Sequence, residues 1–305
     1  MSIYRDPASW MARLALGVPA DWGRAVPDQA FLVSPIGFRR ADESARDNVY
    51  MAESGFDAER ALTQHADLVA AVRGVLPATV FPGSAETPDA VFPNNVFASV
   101  PRRLIIGAMK HPVRQREAAR TDLPAWFEAQ FGASVQRLDA PGVVAELTGP
   151  LIIDRGRGLG FCGMSERVNE AGLAAMDEAF GLRAMYAFDL VPGEYHTNVV
   201  MSVLAGRALV LHRASVADPA AADAIASLYG DAVIWLSDEE KAAFAGNCIA
   251  LSDRHVFLSA RAYQSLAAST RQRFLDLRFE LVPVALDEIE KAGGSLRCCI
   301  GEIYC

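Results

Sequence analysis

A cysteine, a histidine and a glutamate in three distant segments have the side-chain types of a thiol nucleophile and the groups that assist it. Cys298 closes the segment Gly-Gly-Ser-Leu-Arg-Cys at 293–298 and precedes a short apolar run. The flexible glycine pair predicts a thiol exposed at the mouth of a cleft. His196 offers an acid or base, and Glu146 offers a carboxylate to pair with it. The three residues are therefore a candidate catalytic set that folding brings together.

Glu146 has apolar neighbours in the sequence, which makes a purely structural role costly. The segment 143–147 reads Val-Val-Ala-Glu-Leu, and an unpaired charge in an apolar setting is strongly unfavourable. A functional partner for this carboxylate is therefore the better interpretation.

The five cysteines predict free thiols and no metal site. They are Cys162, Cys248, Cys298, Cys299 and Cys305. An odd number in a long chain is typical of reduced thiols and not of a disulfide framework. Their spacing lacks the paired ligands of a zinc site, and neither a metal nor a cofactor is predicted.

Composition predicts a globular protein with a sizeable core. The chain has 305 residues, of which 51% are hydrophobic and 22% charged. Its net charge of -8 argues against nucleic-acid binding, and is compatible with a cationic substrate. The longest apolar runs have the length of a strand, so no membrane association is predicted. The N-terminus lacks a clear signal region, which predicts a cytoplasmic protein; a homo-oligomer is compatible with the sequence.

Four β-hairpins recur about every 50 residues along the chain. They are predicted at 95–106, 151–161, 199–211 and 248–258. Helical patterns occupy 56–75, 169–180 and 217–229, with Asp57 and Asp218 as N-caps and Gly181 and Gly230 as C-terminal stops. Two further strands are predicted at 30–33 and 299–304.

A hairpin-plus-helix unit that repeats around an axis leaves a central cleft. The residues that begin each hairpin would line this cleft, which predicts that Asn95, His196, Asn198 and Asn247 converge there. The least patterned part is the N-terminus, so we expect an extension at 1–30 and a catalytic domain at 31–305.

Four motifs in a fixed order resemble the guanidino-group-modifying enzyme superfamily. They are the segment Asp-Ala-Val-Phe-Pro-Asn-Asn-Val-Phe at 89–97, Glu146, His-Thr-Asn at 196–198, and the segment 293–298. The superfamily includes arginine deiminases, dimethylarginine hydrolases, amidinotransferases and arginine dihydrolases. The sequence is most similar to the deiminase-related, amidinotransferase-like branch, sometimes named citrulline-utilisation hydrolases. The resemblance covers roughly residues 31–304.

The resemblance implies an α/β fold, a five-bladed propeller of ββαβ units with pseudo-five-fold symmetry. It implies that Cys298 is the nucleophile, that His196 is the general acid and base, and that Glu146 pairs with the histidine and the substrate guanidinium. The substrate-binding residues that it implies are Asp89, Asn94, Asn95, Asn198, Asn48 and Arg114. Among these, Arg114 belongs to an Arg-x-x-Glu pattern near the carboxylate end of the substrate.

Two asparagines depart from the deiminase pattern. Asn95 and Asn198 stand where deiminases usually carry aspartates that grip the guanidinium. An amide binds a guanidinium more weakly than a carboxylate does, but it can both donate and accept, which suits a ureido group such as that of citrulline. A deiminase, a dihydrolase that converts arginine to ornithine, and a hydrolase of a neutral ureido compound all remain compatible with this pattern.

The chemistry implied is hydrolysis of a non-peptide C–N bond through a covalent S-alkylthiouronium intermediate, with release of ammonia. The substrate is a guanidino or ureido small molecule of arginine and citrulline metabolism. One alternative is an amidinotransferase, in which an amine replaces water. Another is a non-catalytic arginine- or citrulline-binding protein of the same fold. A papain-like peptidase is disfavoured because its cysteine would precede its histidine.

Overall fold

The structure, a computed structural model, describes residues 3–305 and has a mixed α/β fold. The strands are β1 Ile3–Tyr4, β2 Gln29–Val33, β3 Ala78–Phe81, β4 Phe97–Val100, β5 Arg103–Ile106, β6 Ser134–Arg137, β7 Leu151–Asp154, β8 Leu159–Met164, β9 Ala184–Asp189, β10 Met201–Leu204, β11 Ala208–Leu211, β12 Val233–Trp235, β13 Ile249–Ala250, β14 His255–Ser259, β15 Glu280–Val284 and β16 Gly301–Ile303. The α-helices are α1 Pro7–Ala15, α2 Ala58–Arg73, α3 Pro112–Ala118, α4 Asp122–Phe131, α5 Glu170–Phe180, α6 Thr197–Val200, α7 Pro219–Ser227, α8 Asp238–Ala242, α9 Ala260–Ser265 and α10 Ala268–Asp276. Short 3-10 turns lie at Ser44–Arg46, Pro93–Asn95, Arg213–Ser215, Gly230–Ala232, Ile289–Lys291 and Leu296–Cys299.

Within residues 3–305 the strands form five sheets that share one pattern. In strand order these are β16-β2-β3, β4-β5-β6, β7-β8-β9 with β1 beside β9, β10-β11-β12 and β13-β14-β15. In each sheet the first strand pairs antiparallel with the second, and the second pairs parallel with the third. Because parallel neighbours need a crossover connection, at least one helix lies in the chain between the second and third strands.

The four predicted hairpins are confirmed, and three of them begin later than predicted. The first starts at Phe97, because Asn95 belongs to the turn Pro93–Asn95, and the fourth starts at Ile249. The third hairpin starts at Met201 and not at Val199, because the two valines before Met201 belong to the helical turn α6. Thr197 stabilises this turn: its hydroxyl donates to the Pro150 carbonyl at 2.6 Å and accepts from the Gly163 N–H at 2.9 Å. Such side-chain bonds to backbone compete with strand pairing.

The two predicted terminal strands pair with each other, with Gly301 opposite Phe31. A glycine is required there, because a Cβ at Gly301 would lie 2.2 Å from the Phe31 ring. The last strand is shorter than the predicted 299–304, since Cys299 belongs to a 3-10 turn in which the Cys298 N–H donates to the Ser295 carbonyl at 3.0 Å.

The three predicted helices are confirmed as α2, α5 and α7. Asp57 and Asp218 cap the N-termini of α2 and α7 by accepting backbone N–H groups, as predicted. Gly181 ends α5 in the left-handed region, with φ at 63°. Gly230 is not the helix stop, because α7 already ends at Ser227 and Gly230 begins a separate 3-10 turn.

The N-terminal segment packs on the third sheet. Strand β1 runs parallel to β9, with Ile3 opposite Met185. The fully buried Trp10 of α1 stacks on Tyr186 at a ring-centroid distance of 5.2 Å and meets Phe161 edge-on at 5.9 Å. Residues 1 and 2 of the predicted extension at 1–30 lie outside the described residues.

Apolar side chains fill the space between the sheets and the crossover helices. Leu68 and Val72 of α2, for example, pack with Leu32 of the strand beneath them in one buried cluster. Helix α2 has 16 residues. Among residues 3–305 no helix combines the length and the apolar character needed to cross a membrane.

Replacing Trp10 by alanine tests how firmly the N-terminal segment is attached. We expect Trp10→Ala to lower the free energy of unfolding by about 3–5 kcal/mol, as for other large-to-small changes in a core. The matched control is Met11→Ala, because Met11 is the next residue of the same helix and is 42% exposed. Urea denaturation measures both variants. If Trp10→Ala lowered the free energy of unfolding by no more than Met11→Ala does, the packing of Trp10 described here would be contradicted.

Candidate active site

Seven of the nine predicted site residues line one cavity, whereas Glu146 and Asn198 are fully buried beside it. Its lining residues are Ser44, Asn48, Met51, Asp89, Phe92, Asn94, Asn95, Arg114, Arg167, Tyr195, His196, Ala292, Gly294 and Cys298. Several of these belong to segments that come just before the first strand of a sheet. The turn Pro93–Asn95 precedes β4, His196 precedes α6 and β10, and the turn Leu296–Cys299 precedes β16. The repeated topology therefore brings residues that are distant in sequence to one place.

Glu146 is fully buried and is bound on several sides. Its Oε2 lies 2.9 Å from His196 Nε2, accepts from Asn95 Nδ2 at 2.9 Å, and lies 3.3 Å from Arg167 Nη1. Burial acts to raise the pKa of this carboxyl, but the Arg167 guanidinium and the His196 hydrogen bond hold the pKa below its usual value. Glu146 is therefore ionised at neutral pH.

The Glu146 contact fixes how His196 is protonated. An ionised carboxylate can only accept, so Nε2 of the neutral ring carries the proton and Nδ1 is the basic nitrogen. Burial lowers the pKa of His196, although Glu146 opposes this effect. His196 is therefore a neutral imidazole whose Nδ1 can accept a proton. Gly149 allows this placement, because a Cβ there would lie 2.6 Å from His196 Nε2.

The prediction of an exposed thiol at Cys298 was wrong. Cys298 is 4% exposed, because the turn Leu296–Cys299 folds inward and packs in the core cluster that also contains Cys299. Its Sγ accepts from Asn247 Nδ2 at 3.3 Å and lies 3.8 Å from Asn198 Oδ1. Burial raises the pKa of Cys298, so the thiol form dominates in the free protein.

The predicted asparagines hold neighbouring loops together. Thr148 contributes a backbone carbonyl that accepts from both Asn94 Nδ2 at 3.2 Å and Asn198 Nδ2 at 3.1 Å. Asn95 bridges two charges: it donates to Glu146 and its Oδ1 accepts from Arg114 Nη2 at 2.5 Å. The buried Oδ1 of Asn94 has no hydrogen-bond partner within the described structure.

Asp89 and Arg114 form one wall of the cavity. Arg114 donates to the carbonyls of Asp89 at 2.7 Å and Phe92 at 2.8 Å, and so supports the segment that precedes β4. Asp89 is 2% exposed, and its Oδ1 has no hydrogen-bond partner in the described part of the chain. Burial raises the pKa of Asp89, although the charge of Arg114 opposes this effect.

Asn48 lies in a loop at 34–57 that reaches the mouth of the cavity. Its Nδ2 donates to the Gly293 carbonyl at 3.3 Å. The preceding residue, Asp47, binds Lys110 Nζ at 2.8 Å and also contacts Arg167 and His111. These contacts attach the loop to Arg167, which lines the cavity and pairs with Glu146.

Arg167, Asp47 and Lys110 were not predicted from the sequence. The signal for Arg167 was indirect: a carboxylate among apolar residues requires a counter-charge. The sequence holds many arginines, and only the fold selects the one that lies between β8 and α5. Among residues 3–305 no group of three His, Cys, Asp or Glu side chains is placed to hold a metal ion.

Residues 34–305 match the model of the eukaryotic N,N dimethylarginine dimethylhydrolase family. The chain belongs to this family, and membership confirms both the predicted superfamily and the predicted enzyme class, a hydrolase of non-peptide C–N bonds in amidines.

Known proteins and solved structures resemble the chain along most of its length. The uncharacterized protein YkgA of Bacillus subtilis is 23% identical over 238 residues, which is 77% of each chain. The N-terminal domain of ArgZ, an arginine dihydrolase from the ornithine-ammonia cycle in cyanobacteria, aligns with a TM-score of 0.79 at 18% identity, over 90% of this chain and 98% of that domain. The structure of DDAH from Pseudomonas aeruginosa in complex with citrulline aligns with a TM-score of 0.69 at 22% identity, over 91% of this chain and 99% of that one. The fold is therefore that of these neighbours.

The acid sensitivity of Asp47 tests the attachment of the loop. Burial acts to raise its pKa, but Lys110 and Arg167 lower it from 3.8 to about 2. A carboxyl whose pKa falls on folding stabilises the protein above its unfolded pKa, and this stabilisation disappears as the pH falls through about 2. We expect Asp47→Asn to lower the free energy of unfolding by about 2 kcal/mol at pH 7. Near pH 2 the variant and the wild type should have the same free energy of unfolding.

Chemical denaturation at several pH values measures this difference. Asp42→Asn is the control, because Asp42 lies on the same loop and its side chain is 90% exposed. A stability difference for Asp47→Asn that does not change between pH 7 and pH 2 would contradict the ion-pair account.

Proposed function

We propose that the protein hydrolyses a C–N bond in the guanidino or ureido group of arginine or a close analogue. In this proposal Cys298 is the nucleophile, His196 the general acid and base, and Glu146 the carboxylate that orients the histidine. The observation that supports it most is the shared cavity, where a thiol, a buried His–Glu pair and unpaired acceptors lie together. The family match and the ArgZ fold support the same class of reaction.

The unpaired acceptors are complementary to a guanidinium. Asp89 Oδ1 and Asn94 Oδ1 are buried without partners among the described residues, and both side chains line the cavity. A guanidinium carries five N–H donors in a plane and would satisfy such oxygens. We assign substrate binding to Asp89, Asn94, Asn95 and Asn198, with Asn48 at the mouth. Arg114 was predicted near the carboxylate end of the substrate, but it contacts the Asp89 carbonyl and Asn95 Oδ1, so we assign it to the support of the guanidinium-binding segment.

The bound cation would generate the thiolate. In the free protein burial raises the pKa of Cys298, whereas a guanidinium beside the sulfur favours the anion. The thiol gives its proton to Nδ1 of His196, and the sulfur attacks the guanidino carbon. The imidazolium then returns the proton to the departing nitrogen, which leaves as ammonia. A covalent S-alkylthiouronium remains on Cys298.

Water completes the reaction. His196 takes a proton from the water, the oxygen attacks the same carbon, and the C–S bond breaks. The thiolate leaves and the product carries a ureido group. General acid–base catalysis of this kind contributes about 10²–10⁴-fold to the rate.

The asparagines favour a dihydrolase over a simple deiminase. Asn95 Nδ2 donates to Glu146 at 2.9 Å, so an ionised aspartate there would replace a hydrogen bond by repulsion. Neutral amides at Asn95 and Asn198 can bind a ureido group, which lets a second attack on the same carbon follow the first. ArgZ, an arginine dihydrolase, has also been solved as an asparagine-to-serine variant covalently bonded to a reaction intermediate. We therefore propose conversion of arginine to ornithine. The second attack on the ureido carbon expels the second ammonia, hydrolysis of the C–S bond leaves a carbamate on the ornithine nitrogen, and this carbamate loses carbon dioxide.

We further propose that the five sheets are the blades of a five-bladed ββαβ propeller. The shared strand pattern supports this arrangement. So do hydrogen bonds between the segments before the blades. These join Asn95 to Glu146, Glu146 to His196, and Asn247 to both Asn198 and Arg297. In this proposal residues 31–305 are the catalytic domain and 1–30 an extension. The five free cysteines support a cytoplasmic location.

Replacing Cys298 tests the proposed nucleophile. We expect Cys298→Ala to abolish ammonia release, and His196→Ala to lower kcat by about 10²–10⁴-fold. Cys305→Ala is the matched control, since that cysteine is exposed and lies outside the cavity. Ammonia release by Cys298→Ala at the rate of Cys305→Ala would overturn the mechanism.

Product analysis tests the dihydrolase proposal. With arginine we expect one ornithine, two ammonia molecules and one carbon dioxide for each arginine, because both hydrolytic steps occur at one carbon and that carbon leaves as carbon dioxide. Citrulline, agmatine and dimethylarginine are tested as further substrates, and chromatography of their products defines the substrate range. Accumulation of citrulline alone would indicate a deiminase. Product that forms only after an amine is added would indicate a transferase, and binding without turnover would indicate a binding protein.

A further inference from the structure

Asn247 is a buried asparagine that the mechanism above does not use. It lies between α8 and β13 and has no exposed surface. Its Nδ2 is 3.3 Å from Cys298 Sγ and 2.8 Å from the Asn198 carbonyl oxygen. Its Oδ1 accepts the Arg297 N–H at 3.0 Å, and its own N–H donates to the Phe244 carbonyl at 2.9 Å.

These contacts fix which end of the amide faces the sulfur. The Arg297 backbone N–H can only donate, so the atom that it contacts must be the amide oxygen. The Asn198 carbonyl can only accept, so the atom near it must be the NH₂ group. The group beside Cys298 Sγ is therefore an N–H donor whose orientation is held from both sides.

We propose that Asn247 is a catalytic residue that donates a hydrogen bond to the sulfur of Cys298 and stabilises its anionic form. This assignment rests on the proposed nucleophilic role of Cys298. The donor acts twice: it stabilises the thiolate before attack and again when the C–S bond breaks and the sulfur regains its charge. A hydrogen bond to an ionised group is shorter and stronger than one to a neutral group, so Asn247 binds the anion better than the thiol.

Other groups near the sulfur also influence its ionisation. The titratable and charged residues that line the cavity or lie beside the thiol are Asp89, Arg114, Arg167, Tyr195, His196, Arg297 and Cys299. None of these is changed by a substitution at Asn247, so a shift after an uncharged substitution there reports the lost donor.

The pH dependence of Cys298 alkylation tests the proposal without any substrate. The rate of modification by iodoacetamide is followed by tandem mass spectrometry, which separates Cys298 from Cys299, with the exposed Cys305 as an internal reference. Asn247→Asp keeps the acceptor for the Arg297 N–H but removes the donor. We expect its alkylation midpoint to rise by about one to two pH units, while that of Cys305 stays unchanged. Asn247→Ala, which adds no charge, should shift in the same direction by a smaller amount.

Ser202→Ala is the matched control. The Ser202 hydroxyl lies 2.8 Å from the Gly246 carbonyl and 2.7 Å from the Cys248 carbonyl, so it supports the same loop without touching the sulfur. We expect the wild-type midpoint in this variant. Near-UV circular dichroism checks that each variant is folded. If the aspartate variant does not fold, the alanine variant alone provides the test.

Two results would overturn the role of Asn247: a wild-type midpoint in folded Asn247→Ala, or an equal shift in Ser202→Ala. Because the readout needs no turnover, it stands apart from the proposed function. A shifted midpoint in a protein that releases no ammonia would leave the donor role intact and remove only the proposed reaction.

Discussion

The buried carboxylate of Glu146 is the constraint on which the rest of the site depends. A lone charge in the interior costs several kcal/mol, so Glu146 requires a cation and hydrogen-bond donors from other elements. Arg167, His196 and Asn95 supply them. Each of these contacts also fixes a second feature: the tautomer of the histidine, the placement of Asn95 against Arg114, and the attachment of the loop at 34–57 through the Arg167 contact with Asp47.

The repeated topology explains how one carboxylate organises groups from the whole chain. Three of the five sheets begin with a strand whose preceding segment lines the cavity, so a short turn there suffices to present a side chain. The segments before the other two sheets hold Glu146 and Asn247, which bond to the lining residues His196 and Cys298. Buried asparagines join these turns, with Asn94 and Asn198 sharing the Thr148 carbonyl and Asn247 joining Asn198 to the turn that contains Cys298. In the proposed reaction these neutral amides hold the thiol and the substrate without adding charge to a site that already contains an ion pair.

Much of this arrangement could be predicted from the sequence, because periodicity and motif order are local signals. The hairpins, the helices with Asp57 and Asp218 as caps, and the family followed from them. The burial of individual residues and the pairing of residues far apart in sequence could not be predicted from these local signals. The inward fold of Cys298 depends on packing in the core cluster, and the start of the third hairpin depends on hydroxyl contacts of Thr197 with residues far away in sequence. Arg167 was missed because pairing with Glu146 is set by the tertiary fold.

Detection of a covalent intermediate on Cys298 tests the account most directly. The protein is mixed with arginine, quenched in acid at successive times, digested and analysed by mass spectrometry. We expect a transient adduct on Cys298 with the mass of arginine less ammonia, formed and lost within the time of turnover. An adduct on another cysteine such as Cys305, or turnover that continues at the wild-type rate after Cys298 has been fully alkylated, would contradict it.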